Sequence, residues 1–407
     1  MRYAIIGNGV EISRIEEALT SLPDAEIVNV GESAGLADSD PSTMRPELTG
    51  IEAWEAILSG SLADGVVFAR DSNSKQRDDQ LRKLVQAGIP ILAVYPACDV
   101  LLGFELQMIQ RDTGGVIIPY WPGNRHPLLG EIQKWCRDER ESPLGPIQQL
   151  VLQRVLAPSQ RQEVLDTFAR DAEILGRLMG GVDQLGALGR GALGRESDQE
   201  TLNNLSVHMS TSQGRLARWS TLPQSNSSDS ELSVVGQRGQ AKLSMPPDPS
   251  QWSLTVIGGT GDNDEPCGLG EVNARWNDVE NIVSVFQSAI GQADDGTDWD
   301  HACRGLELAD TVEQSLRRGK TIHLYGVEHT EEATFKTMMA AGGCLTLLAT
   351  LGVVLLLAGL DALGLTAWGT AVWKKWPFVL LAVLLVFLAL QLLRFVFPDA
   401  PAKKQPS

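Results

Sequence analysis

The chain has 407 residues, 43% of them apolar and 21% charged, with 40 glycines and 20 prolines. At ~100–200 residues per domain this length predicts two to three folding units, and the composition excludes collagen, coiled coil and wholesale disorder. Lysine and arginine total 34 against 51 aspartates and glutamates, a net charge of −17; no basic stripe overrides that field, so nucleic acid is not expected as a partner.

Residues 3–6 form an apolar run too short for a secretory leader, whose apolar core runs about 7–15 residues, and they predict a strand. Gly7-Asn8-Gly9 predicts a tight turn, after which Ile12, Ile15, Ala18 and Leu19 share one helix face. A strand over Ala25 to Val30, a helix through Trp54, Ile57 and Leu58, and a strand over Gly65 to Ala69 follow. A helix through Leu81, Leu84 and Val85 ends at Gly88 before a strand over Ile89 to Val94. A helix over Leu101 to Gln110, a strand over Gly115 to Ile118 and a helix over Leu128 to Trp135 complete the unit. This alternation predicts a parallel, Rossmann-like sheet over residues 1–142.

From residue 143 to 326 the pattern predicts an α+β domain with a mainly antiparallel sheet. Ile147 to Leu156 reads as a long strand, and Leu165, Phe168, Ala172, Leu175 and Met179 step along the buried side of a helix. Strands follow around Val207 to Met209, Leu216 to Thr221, Glu231 to Gly236 and Trp252 to Val256, with turns rich in glycine and serine between them. Two helices, from about Val279 to Gly291 and from His301 to Arg318, and a strand at Thr321 to Leu324 close the domain.

Beyond it, residues 338–360 and 376–397 predict two transmembrane helices, because each offers close to the ~20 apolar residues needed to cross the hydrocarbon. Trp368, Trp373 and Trp376 stand where interfacial anchors belong. Two spans place both termini on one side. The expectation is therefore an integral membrane protein, in an inner or plasma membrane, whose soluble part faces the cytoplasm. Cysteine usage agrees with a reducing compartment: Cys98, Cys136, Cys267, Cys303 and Cys344 are widely spaced, lack any CxxC pair and predict neither a disulfide framework nor a zinc site.

Gly7, Asn8 and Gly9 follow a strand and open a helix, the context in which backbone N–H groups approach a pyrophosphate at a helix N-terminus. A third glycine is missing, since Ile12 stands in its place. Glu32, just after the second strand, stands where an acid meets the ribose hydroxyls and leans the choice toward NAD over NADP. The alternative is a bare βα turn with Glu32 a solvated loop charge. Gly258 to Asp262 reads as a loop, because the acids after it would repel phosphate.

The order of elements over about residues 1–324 resembles the Gfo/Idh/MocA oxidoreductases, NAD(P)-dependent enzymes acting mostly on sugars and polyols. The resemblance rests on the Gly7/Gly9 turn, on Asp64 to Ala69, on Val85 to Leu92, on Val94-Tyr95-Pro96 where the family has Glu-Lys-Pro, and on Phe286 to Ile290 and Leu306 to Thr321. It implies that a lysine and a histidine would exchange the substrate proton. Here Tyr95 replaces that lysine. In the family's Asp-x-Gly-x-His-x-x-Asp helix, Asp166 keeps its place while Phe168, Arg170 and Glu173 replace the rest. Arginine stays protonated and tyrosine starts near ~10, so neither is an ordinary general acid–base group at neutral pH.

Three readings stay open: a repurposed site with Tyr95 as base and Arg170 as clamp, a degenerate relative that still binds a nucleotide, and a non-catalytic binding or scaffold protein with its cleft blocked by Ile12 and Phe168. Asp166, Glu173 and His126 are candidate contacts to a sugar-like small molecule, with a surface loop position the alternative for His126. His208, opposite the core face of its strand, is a candidate homo-oligomer contact. No histidine has a ligand-spaced partner, and no metal is expected.

Overall fold

The computed structural model describes residues 1–29, 51–70, 74–138, 140, 142–157, 160–190, 202–223, 229–258, 269–273, 276–291 and 296–324. Apolar strands alternating with amphipathic helices build the first layer: β1 (Arg2–Ile6), α1 (Val10–Thr20), β2 (Glu26–Asn29), α2 (Ile51–Leu58), β3 (Gly65–Phe68), α3 (Ser74–Gln86), β4 (Ile91–Val94), α4 (Val100–Thr113), β5 (Ile117–Tyr120) and α5 (Pro127–Arg137). The five strands are parallel, in the order β2-β1-β3-β4-β5. Both faces are covered, which is why the inner strands β3 and β4 are apolar throughout, whereas the edge strand β2 carries Glu26 and Asn29. In β1, Tyr3 and Ile5 enter one core cluster while Ala4 and Ile6 enter the other.

The second layer consists of β6 (Ile147–Leu156), α6 (Arg161–Met179), β7 (Gln184–Arg190), β8 (Asn203–Ser210), β9 (Leu216–Pro223), β10 (Ser230–Gly236), β11 (Gln240–Met245), β12 (Ser253–Ile257), β13 (Leu269–Asn273), α7 (Asp278–Ala289), α8 (Thr297–Arg318) and β14 (Ile322–His323). Its nine strands run in the order β13-β12-β11-β10-β6-β9-β8-β7-β14. All neighbours are antiparallel except β6 and β9, which pair in parallel at the centre. Alternation sends Leu150, Leu152, Ala217, Trp219, Leu232 and Val234 into the core. His208 points the other way and is exposed.

Helix α6 is pinned to this sheet by a buried carboxylate. Asp171 accepts hydrogen bonds from Arg154 Nε at 2.8 Å, from Arg154 Nη2 at 2.5 Å and from Trp219 Nε1 at 2.7 Å. Three donors compensate the desolvation of a side chain with no exposed surface. Helix α7, although it follows the second sheet in the chain, returns to the first. Ile282, Val283 and Phe286 bury in the same cluster as Tyr3, Ile12 and Ile15, and the Tyr3 and Phe286 rings lie 6.0 Å apart.

The expected architecture is corrected in one respect. The structure supports a parallel Rossmann-like sheet and a mainly antiparallel sheet, and transmembrane helices are not part of that fold. Among the described residues no helix is long and apolar enough to cross a membrane. The two long helices, α6 with 19 residues and α8 with 22, carry charge in successive turns, from Glu163 to Arg177 and from Asp298 to Arg318. The segments 338–360 and 376–397 lie outside the described residues, as do Glu32, Cys267 and Cys344.

Candidate functional site

The turn after β1 runs hard against the end of β3. Gly7 has φ +96°, and a Cβ there would sit 2.3 Å from the Ala69 carbonyl oxygen. Glycine is thus required by conformation and by space. Gly9, with φ +146°, is the N-cap of α1, and a Cβ there would meet only the Glu11 carboxylate, at 4.0 Å. Since α1 has no side-chain cap, its first-turn N–H groups are not consumed by one. Asn8, Gly9, Glu11 and Ile12 line one wall of a cleft of about 720 Å³. The cleft is open: Ile12 is 4% exposed and joins the core beneath α1, while Phe168 packs edge-on against Trp219, ring centroids 5.1 Å apart.

Arg70, one residue past the close approach, is a site residue that motif reading misses. Its position after a strand of a parallel sheet is the available signal, because ligands gather at the carboxyl ends of such strands. Arg70 lies 3.7 Å from Asp78, whose carboxyl is pushed up first by burial and pulled back by Arg70. Among the described residues the buried Arg70 Nε has no hydrogen-bond partner.

The opposite wall is α6. Asp166 and Arg170 line the cleft, and burial raises the Asp166 carboxyl against the opposing pull of Gln162, which donates to it at 2.8 Å. Arg170 does meet Tyr95, but through the backbone: its Nε donates to the Tyr95 carbonyl at 2.9 Å. The Tyr95 ring is fully buried against Trp121 at 4.9 Å, and its hydroxyl donates to the Ala302 carbonyl in α8 at 2.9 Å. Burial, then the Glu173 charge, drives its pKa well above the ordinary phenol value. No phenolate is on offer, and the guanidinium does not touch the hydroxyl.

Glu173 and His126 are not brought to this cleft. Glu173 is 6% exposed and pairs with Arg177 at 2.7 Å. Burial raises its pKa to about 7 against the pull of Arg177. His126 is 1% exposed and caps α5, its Nδ1 accepting from Leu128 N at 3.2 Å. It stacks on Trp252, ring centroids 4.8 Å apart, and burial lowers its pKa to about 4, with a small opposing contribution from the Pro249 backbone. Among the described residues no group of His, Cys, Asp and Glu could hold a metal ion, and Cys98, Cys136 and Cys303 are free and buried.

The cleft offers a glycine turn at close approach and a helix start without a side-chain cap, the backbone features that suit a phosphate, with Arg70 in the lining. Its charge works the other way, because Glu11, Asp99, Asp166, Asp310 and Glu313 outnumber Arg70 and Arg170 in the lining.

The described residues thus pair a Rossmann-like parallel sheet with a larger, mainly antiparallel sheet, with the cleft at the carboxyl ends of the parallel strands. No protein-family model and no curated protein matches the sequence, but solved structures do. A protein of gentamicin A biosynthesis, solved in complex with NAD, superposes with a TM-score of 0.60 at 14% identity, over 80% of this chain and 97% of its own. An aldose–aldose oxidoreductase from Caulobacter crescentus, complexed with glycerol, gives 0.59 at 14% identity, over 80% and 99%. A variant of a 3-ketoreductase from Actinomadura kijaniata, in complex with TDP-benzene and NADP, gives 0.58 at 17%, over 77% and 97%. What is shared at these identities is the fold, and that fold is the one of the Gfo/Idh/MocA-type NAD(P)-dependent oxidoreductases.

Proposed function

We propose that this chain binds a nicotinamide dinucleotide in the cleft beside Gly7 and Gly9, with Asp166 and Arg170 facing a sugar-like small molecule, and that it lacks the lysine–histidine proton exchange implied by its resemblance to the Gfo/Idh/MocA family. The observation that carries the reading is the Gly7 turn, where a Cβ would lie 2.3 Å from the Ala69 carbonyl oxygen, beside the cleft that Asn8, Gly9 and Arg70 line. The NAD and NADP in two of the structural neighbours support it. NAD is the proposed form, since the acidic lining disfavours an added 2′-phosphate.

The bound nucleotide would supply a hydride acceptor or donor. The chain's own residues would do the holding: α1 N–H groups and Arg70 on the diphosphate, Arg170 fixed on the Tyr95 carbonyl with its remaining nitrogens toward substrate, and Asp166 accepting from hydroxyls. With the Tyr95 hydroxyl committed to Ala302, no lysine-like shuttle stands beside the substrate.

Fluorescence titration of NADH and NADPH into the full chain tests this. Saturable binding is expected, tighter for NADH and abolished in Gly7→Ala, with no sugar-dependent turnover. Absence of saturable binding by either nucleotide overturns the cofactor reading. Robust sugar dehydrogenation that vanishes in Tyr95→Phe overturns the rest.

A further inference from the structure

The cleft wall that faces the proposed small molecule is built from two helices, and its charges do not cancel. Asp166 and Arg170 come from α6, Asp310 and Glu313 from α8. The helices meet closely at Gly305, where a Cβ would lie 2.6 Å from the Ala169 carbonyl oxygen, and this brings acids from both into one lining. Glu313 is already paired, with Arg161 at 3.1 Å, and Arg70 faces Asp78 at 3.7 Å. Asp166 and Asp310 hold no cationic side chain in an ion pair among the described residues. Each instead accepts from a neutral amide one helical turn away, Asp166 Oδ1 from Gln162 at 2.8 Å and Asp310 Oδ2 from Gln314 at 2.7 Å. An amide donates a hydrogen bond and leaves the carboxylate charge in place.

The second oxygen of each acid thus has no hydrogen bond among the described residues. Arg170, whose Nε is spent on the Tyr95 carbonyl, brings one positive charge to these two negative ones, so one negative charge is left over. Burial raises the Asp166 carboxyl, as it does for an acid short of a counter-ion, against the pull of Gln162 and of the Arg170 and Arg70 charges. The rest of this wall is apolar and low, with Leu165, Leu306 and Ala309.

We propose that the small molecule taken here carries a protonated amine beside its hydroxyls, as an amino sugar or aminopolyol does, and that Asp166 and Asp310 bind the ammonium together. The inference rests on the substrate half of the reading above and narrows it to a class. An ammonium has three donors and no acceptor, enough for both free carboxylate oxygens, and its charge restores neutrality to the wall. A neutral sugar leaves the surplus charge uncompensated, and a sugar acid adds repulsion to it.

Ligand-observed NMR titration of the full chain tests this, with glucosamine, N-acetylglucosamine and glucose as probes, each with and without NADH. Glucosamine is expected to bind roughly tenfold or more tightly than either neutral probe, the worth of one charge-assisted contact, and salt should shrink the difference. Asp310→Asn keeps the acceptor for Gln314 and removes the charge, so it should bring glucosamine down toward the neutral probes; Asp166→Asn should do the same, with circular dichroism checking the fold of both. Glucosamine binding no tighter than N-acetylglucosamine overturns the proposal, as does absence of saturable glucosamine binding or a preference that survives both substitutions. The NADH arm keeps the two readings apart: an amine preference without saturable NADH binding removes the cofactor and leaves this inference standing, and NADH binding without an amine preference does the reverse.

Discussion

Helices α6 and α8 pack antiparallel, and a cavity opens at each end of their contact. Among the described residues, the lining at the N-terminal end of α6 holds five carboxylates with Arg70 and Arg170, and at the C-terminal end four arginines with Glu173. Helix dipoles do not account for the sorting. They favour acids at the start of α6 and a base at its end, as Glu163 and Arg177 show. Yet α8 runs the opposite way and brings Asp298 and Asp300 toward the arginine end. The positive end is assembled from elements far apart in sequence, from α5 to α8. Charge is here a property of each cavity and not of the helices between them.

The strongest way to break the comparison is to release the helix that separates the cavities. Asp171→Ala leaves Arg154 and Trp219 Nε1 without their acceptor, and a cost of about 3–5 kcal/mol is expected in urea unfolding. A loss below about 1 kcal/mol would show that α6 is held by apolar packing alone.

A second experiment uses pH. The folded state keeps the Glu173 proton from its ordinary 4.5 up to about 7, whereas the unfolded chain has lost it, so stability falls as pH rises through that window. His126 behaves oppositely: the unfolded chain gains a proton below 6.5 that the folded state refuses until about 4, so stability falls as pH drops. The two slopes overlap between 4.5 and 6.5 and largely cancel. Glu173→Gln should expose the histidine slope, with stability rising by about 2–3 kcal/mol from pH 4.5 to 6.5, and His126→Asn should expose the reverse. Urea unfolding at a series of pH values reads both; flat profiles in both variants would refute the assignment.

The smallest effect sharpens the acidic side. Glu11→Gln removes a carboxylate at the mouth of the glycine turn, and NADH affinity should rise about fivefold, roughly 1 kcal/mol. Unchanged affinity would mean that Glu11 turns to solvent when the nucleotide binds.

Much of the fold is legible in the sequence because its strands are short, apolar and punctuated by glycine. The first sheet follows directly from that alternation. In the second, β7 escapes notice because Gly186 and Gly189 dilute its pattern; the first lies where a Cβ would be 2.9 Å from Thr321 Oγ1. Strand β11 was within reach, since Ala241, Leu243 and Met245 alternate inward as cleanly as their neighbours. The parallel β6–β9 pairing is a long-range choice that no local pattern encodes. The Gly7–Gly9 turn is visible for the same reason its chemistry works, namely backbone geometry that only glycine allows. The fates of Tyr95 and His126 are not visible, because both depend on partners more than 100 residues away, Ala302 for one and Trp252 for the other.

The reach of Tyr95 into α8 does not act alone. Trp299 Nε1 and Cys303 Sγ both donate to the Gly103 carbonyl at 3.2 Å, and Gln107 donates to Asp300 at 2.5 Å. These links tie the first sheet's helix α4 and the β4 loop to α8. On the proposed reading a nucleotide would enter between walls already bonded to each other, and rapid mixing should record a single concentration-dependent association phase without a slower closing step behind it.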